Sequence, residues 1–221
     1  MPSFHKTVLL IMAITLFAFG PQQKKKVVFF GDSITEAGVK PGGYITMMKD
    51  LSGAANTFDF IGSGIGGNKV YDLYLRMEQD VLAAKPDIVV IYVGVNDVWH
   101  KQSFGTGTDA DKFEKFYQAI ITKLKSQNSK VVVCTPAVIG ERTDFSNQLD
   151  GDLNKYSAII RKLATANQIP VVDLRKAFLD YNLKNNPENK EAGILTTDRV
   201  HLNELGNRLV AEKMWEVIKG L

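Results

Sequence analysis

The sequence predicts an α/β fold, a parallel five-stranded sheet covered by helices on both faces. Three observations carry this. Five short runs are predominantly apolar, three of them without a break as strands buried on both faces are, and most are rich in β-branched residues. Segments with helical periodicity lie between them, which lets each strand return in the same direction through a crossover. No internal repeat, low-complexity tract or linker breaks the alternation beyond the N-terminus.

In chain order, residues 27–30 (VVFF) are the first buried-strand run, followed by a helical segment at 44–51. Residues 58–61 are the second strand and 71–84 the helix after it. The run at 88–93 (IVVIYV) is the strongest strand signal, unbroken and β-branched, and an amphipathic helix follows at 111–127. Strands four and five are expected at 131–134 and 171–174, separated by a helix over 149–167. Asn203 has the character of an N-cap for a last helix, whose apolar positions Leu205, Leu209, Val210, Trp215 and Ile218 recur at mostly helical spacing. Residues 98–109 (VWHKQSFGTGTD) and 136–150 read as the longest irregular stretches.

With 221 residues, 45% of them hydrophobic and 23% charged, the chain can bury a real core and is neither disordered nor fibrous. A net charge of +3 is too mild for the footprint of a nucleic-acid binder. Cys134 is the single cysteine, which excludes an intramolecular disulfide and a multi-thiolate zinc site. The three histidines are His5, His100 and His201, so a mechanism that needs an imidazole must use one of them. Residues 1–20 carry His5 and Lys6 and then an uncharged apolar run at 7–20, after which PQQKKK turns polar and basic. That run is shorter than the ~20 residues a bilayer span needs. The pattern is that of a secretory signal peptide, with an uncleaved anchor or a buried first helix as alternatives. The expected organisation is a targeting segment at 1–20 and one domain at 24–221, exported to a secreted or periplasmic location, with no stable membrane insertion of the mature domain.

In a parallel sheet ligands bind beyond the carboxyl ends of the strands. The first strand is followed there by Gly31-Asp32-Ser33-Ile34-Thr35, the second by Gly62 to Asn68, and the third by Gly94-Val95-Asn96-Asp97; Thr197-Asp198-Arg199-Val200-His201 precedes the last helix. A serine hydroxyl becomes a nucleophile when a base takes its proton, and imidazole suits that task near neutral pH. Ser33 is the candidate nucleophile and His201 the base. Asp198, three residues earlier, is the carboxylate that can fix the ring's tautomer and stabilise its charged form. A tetrahedral oxyanion needs fixed donors, each worth about 3 kcal/mol of barrier. The backbone N–H groups of Ser33 and Gly67 and the side-chain amide of Asn96 can supply them. Simpler readings exist for each residue alone: Ser33, Asp32 and Asp198 as caps or turn braces, and Asn96 and Asp97 as turn residues.

Taken together, GDSIT at 31–35, GIGGN at 64–68, GVND at 94–97 and DRVH at 198–201 resemble, in order, the four sequence blocks of the SGNH hydrolases, the GDSL esterase and lipase superfamily. The resemblance spans essentially the whole domain. It implies a flavodoxin-like three-layer α/β/α sandwich, no cofactor or metal, and hydrolysis of carboxylic esters through an acyl-enzyme. By position it implies Ser33 as nucleophile, Asp198 and His201 as the rest of the triad, and Ser33, Gly67 and Asn96 as the oxyanion hole. The adjacent Gly66 leaves the register of the second block open.

Three rival readings fit these residues less well. Gly62-x-Gly64-x-x-Gly67 is a literal dinucleotide fingerprint, with Asp87 twenty positions on from Gly67, but Asp87 precedes the third strand instead of following it, and Asn68 stands where a phosphate loop needs lysine. A binding module that recognises acylated glycans without cleaving them would lack Ser33 or His201. No serine sits in a G-x-S-x-G nucleophile elbow. For the substrate, Trp99 and His100 are candidates for a wall against a sugar ring and Arg142 for contact with an anionic group. The absence of a long apolar lid segment disfavours long-chain triglycerides. The working expectation is a short-chain or acetyl esterase acting on a small-molecule or glycan ester, carbohydrate O-acetyl groups in particular; thioesterase or lysophospholipase activity is the alternative within the family.

Overall fold

The computed structural model describes residues 23–53 and 57–221, so the assignment of residues 1–20 as a signal peptide lies outside it. The five apolar runs form its centre: β1 (Lys25–Gly31), β2 (Phe58–Gly64), β3 (Ile88–Tyr92), β4 (Lys130–Cys134) and β5 (Val171–Val172). They pair in parallel in the order β2-β1-β3-β4-β5. The chain steps outward from β1 to β2 and then crosses back to β3 on the other side of β1. The winding therefore reverses between β1 and β3, and a crevice opens where their carboxyl ends lie side by side. Gly31 is opposite Gly64 on one side and Tyr92 on the other.

Among the described residues eight helices cover the sheet: α1 (Ser33–Gly38), α2 (Tyr44–Leu51), α3 (Val70–Asp80), α4 (Val95–Ser103), α5 (Ala110–Ser126), α6 (Asp150–Asn167), α7 (Leu174–Asn185) and α8 (Glu204–Ile218). α2 packs on α8, while α5 packs between α3 and α6, giving the expected three layers. Val27 to Phe30 and Ile88 to Ile91 are fully buried, as strands covered on both faces require. On one face Phe29 meets the edges of Tyr44 and Phe60, and Trp215 of α8 closes over Phe58 and Phe60. On the other, Phe113 packs against Tyr117 and Tyr156.

The structure corrects three expectations. Residues 98–109 are not one irregular stretch, because α4 runs through Ser103. Val95 and Val98 are buried with Trp99 packed behind them, a helical spacing that the polar HKQS and the glycines at 105 and 107 obscured. The fifth strand is two residues long instead of four: Asp173 caps α7 by accepting from Lys176 N–H, so Leu174 starts a helix. The helix expected at 71–84 ends at Asp80 and tightens into a 3₁₀ turn at Leu82–Ala84.

At the opposite, amino edge of the sheet, Lys25, Lys85, Asp87, Lys130 and the C-terminal Leu221 line a shared cavity, and Lys130 Nζ donates to the Leu221 carbonyl. No helix among the described residues is long and apolar enough to cross a membrane.

Candidate active site

β1 passes into α1 without a loop. Asp32 makes this possible: its carboxylate accepts the Ile34 N–H at 3.0 Å and its carbonyl the Glu36 N–H at 2.9 Å, so Ser33 becomes the first residue of the helix. A first-turn N–H has no partner within its own helix, so that of Ser33 is available to a ligand. Gly31 is obligatory here, since a Cβ would meet Thr35 Oγ1 and the Tyr92 carbonyl, both at 2.3 Å.

Ser33 Oγ lies 2.9 Å from His201 Nε2, and His201 Nδ1 lies 2.7 Å from Asp198 Oδ2. The other Asp198 oxygen accepts the N–H groups of Val200, at 3.1 Å, and of His201, at 2.8 Å. Burial alone would push the Asp198 carboxyl up, but the His201 ring and these two N–H donors carry it below its ordinary value. With Nδ1–H donated to Asp198, Nε2 is left to accept the Ser33 proton.

The second block lies over α1. Gly66 N–H donates to Glu36 Oε2 at 2.7 Å, whereas Gly67 N–H has no partner among the described residues. Gly67 has a positive φ of 74°, the left-handed region that favours glycine. Asn96, in the first turn of α4, donates from Nδ2 to the Asn68 carbonyl at 3.1 Å, which orients the amide and leaves its second N–H free. The structure thus brings Ser33, Gly67, Asn96, Asp198 and His201 to one edge of the sheet from four separate segments. His100 belongs to the same edge: a Cβ on Gly67 would sit 3.8 Å from its ring. Burial first, and then the charge of Lys69, lower the His100 pKa and favour the neutral imidazole. Phe104 meets the His100 ring edge-on at 4.9 Å, while Trp99 packs partly into the core. Arg142 lies 3.6 Å from Glu191, which also pairs with Arg199 next to Asp198, and lines a polar cavity with Gln102, Asn147 and Arg199.

The dinucleotide reading meets two obstacles. The N-terminus of α3, where a pyrophosphate would sit, is already filled by a carboxyl group: buried Asp97 accepts Val70 N–H at 3.1 and 3.3 Å. The glycines serve packing instead, since a Cβ on Gly64 would lie 2.1 Å from Glu36 N and one on Gly62 2.3 Å from Val39. Asp87 sits at the amino end of β3 and accepts Lys26 N–H.

Two residues that brace the site carried no sequence signal. Glu141, 1% exposed, accepts the N–H groups of Ile194, Leu195 and Thr196 at 2.6 to 2.8 Å and so anchors the loop that leads to Asp198. Arg76 of α3 ties together the ends of β1 and β2. Nothing in the residues around either one distinguishes it from the other charged side chains. Among the described residues no cluster of histidine, cysteine and carboxylate side chains could hold a metal ion.

Known proteins share this architecture. An acetylxylan esterase of Geobacillus stearothermophilus is 28% identical over 206 residues, covering 85% of this chain and 90% of that protein. An uncharacterized lipoprotein of Bacillus subtilis is 22% identical over 233 residues, covering 94% of this chain and 95% of that protein. The crystal structure of an acetyl xylan esterase superposes with a TM-score of 0.86 at 67% identity, covering 87% of this chain and 99% of that one. The GDSL-like lipase/acylhydrolase family model matches residues 29–209, and with the four blocks converging at one edge of a parallel sheet, the chain belongs to that family.

Proposed function

We propose that this protein is a serine esterase that removes acetyl groups from carbohydrates, with acetylated xylan or its fragments as the substrate class. The observation that carries the proposal is the unbroken hydrogen-bonded chain from Ser33 Oγ through His201 to Asp198, in a fold shared with acetylxylan esterases.

In this reading Ser33 Oγ attacks the acetyl carbonyl carbon while His201 Nε2 takes its proton. Asp198 holds the ring and stabilises the imidazolium. The carbonyl oxygen becomes an oxyanion that accepts from Ser33 N–H, Gly67 N–H and Asn96 Nδ2. The bond from Gly66 to Glu36 supports Gly67 as the second-block donor, because it leaves Gly67 the free N–H. Collapse expels the sugar hydroxyl, which receives the proton from His201 and leaves an acetyl ester on Ser33. Water, deprotonated by His201, then attacks that ester, and acetate leaves. His100, neutral and beside Gly67, is placed in this scheme to meet the acetylated sugar, with Trp99 behind it.

Residues 1–20 act as an export signal in this proposal, which suits a polymeric substrate outside the cell. The lipoprotein relative supports export, and an uncleaved anchor serves the same end.

Acetate release from acetylated xylan and from an aryl acetate tests the assignment. Ser33→Ala is expected to lower both by about a thousandfold or more. Unchanged hydrolysis in that variant would overturn the mechanism. Hydrolysis of the aryl ester with no release from acetylated xylan would overturn the substrate class.

A further inference from the structure

Arg76 is not among the residues to which the esterase reaction assigns a role, yet it makes more hydrogen bonds than any other side chain near the site. Its side chain is only 14% exposed, and its guanidinium lies 4.6 Å over the Phe30 ring. Nε donates to Asn68 Oδ1 at 2.7 Å. Nη1 donates to Ser63 Oγ at 3.0 Å and Asp80 Oδ2 at 2.8 Å, and Nη2 to the carbonyls of Gly31 at 2.8 Å and Ser63 at 3.0 Å. All five N–H donors of an arginine are thereby committed.

The acceptors bracket the three oxyanion donors. Gly31 lies two residues before Ser33, and Asn68 follows Gly67 directly. The Asn68 carbonyl in turn accepts from Asn96 Nδ2. We infer that Arg76 is a positioning residue for the oxyanion hole: one planar guanidinium sets the spacing between Ser33 N–H, Gly67 N–H and Asn96 Nδ2. The inference rests on the oxyanion-hole assignment above. Its physical basis is geometric. Donors act on a developing oxyanion only if they are fixed before reaction, and the second block is a glycine-rich segment with little side-chain packing of its own to fix it. A lysine, whose donors radiate from a single nitrogen, cannot reach acceptors on three segments at once.

The test compares Arg76→Lys and Asn68→Ala with Asn96→Ala and wild type on an aryl acetate. Active sites are counted by stoichiometric phosphonylation of Ser33, so that misfolded molecules do not enter kcat. Arg76→Lys is expected to lower kcat per titrated site by roughly 10- to 100-fold, with KM within about twofold and the acid limb of the pH profile unmoved. Binding of a boronic acid, which forms a tetrahedral adduct on Ser33, should weaken in parallel. Asn68→Ala removes the Nε acceptor while keeping the backbone carbonyl, and should lower kcat by about three- to tenfold; it decides the matter if Arg76→Lys does not fold. If Asn96→Ala lowers kcat while both other variants keep wild-type kcat per titrated site, Arg76 is merely structural and the inference fails. If Asn96→Ala itself leaves kcat unchanged, the oxyanion-hole reading fails instead.

Discussion

Asp198 commits both carboxylate oxygens to a single turn of chain, one to the His201 ring and the other to the N–H groups of Val200 and His201. An asparagine could keep the backbone bonds but would place an amide against Nδ1, favouring the wrong tautomer. Asp198→Asn is therefore expected to lower kcat on an aryl acetate by at least about a hundredfold while leaving the melting temperature nearly unchanged. A second pair of carboxyls acts on stability. Burial raises Asp97 from 3.8 to about 7, and burial together with the nearby Asp97 charge raises Asp32 from 3.8 to about 7. The folded chain thus binds protons that the unfolded chain has released. The stability this gives is complete below the unfolded value of 3.8 and is lost as pH rises through about 7. The melting temperature should fall between pH 5 and pH 8, and Asp97→Asn, which still offers an acceptor to Val70 N–H, should shrink that fall. An identical slope in the variant would mean that another group titrates.

At the scale of the element, loops that look plain in sequence turn out to be clamped. The β2 to α3 connection sits on α1 so closely that Gly64→Ala would drive a methyl group into backbone, a contact that no rotamer change relieves. That variant should lose soluble expression or unfold at a much lower temperature, as circular dichroism would show. Glu141, on the loop that follows β4, holds the segment before Asp198. Glu141→Ala leaves three N–H donors buried or weakly solvated and should cost about 3 kcal/mol, read from chemical denaturation. These clamps explain what the sequence could and could not tell. The strands were legible because β1 and β3 are apolar on both faces, and the candidate triad because its residues fall in compact blocks. α4 was hidden because its exposed face is polar and glycines follow it. α7 was hidden because Asp173 ends a strand and caps a helix in one step. The Glu141 carboxylate acts through partners 53 to 55 residues away, and Arg76, besides its nearby bonds to Asn68 and Asp80, reaches back 45 residues to Gly31, so no local pattern marks either role.

For the molecule as a whole, the strand order does what no single residue can. Reversing the winding at β1 sets the ends of β1 and β3 side by side, so Ser33 and Asn96 become neighbours although about sixty residues part them. The polarity of the sheet also sorts the chain ends. Lys25 and Leu221 line one cavity at the amino edge, and the seven residues of β1 separate that edge from Gly31 by roughly 20 Å. A solid support or fusion partner joined ahead of residue 23 or after Leu221 therefore presents the catalytic edge outward, toward an insoluble polymer. Attachment through a thiol introduced at Phe145→Cys, on the exposed loop after β4, would turn that edge toward the support; Cys134 is buried and would not compete for the coupling reagent. Acetate release from insoluble acetylated xylan should accordingly survive terminal immobilisation and drop several-fold on loop immobilisation, while a small aryl acetate is cleaved equally well in both orientations.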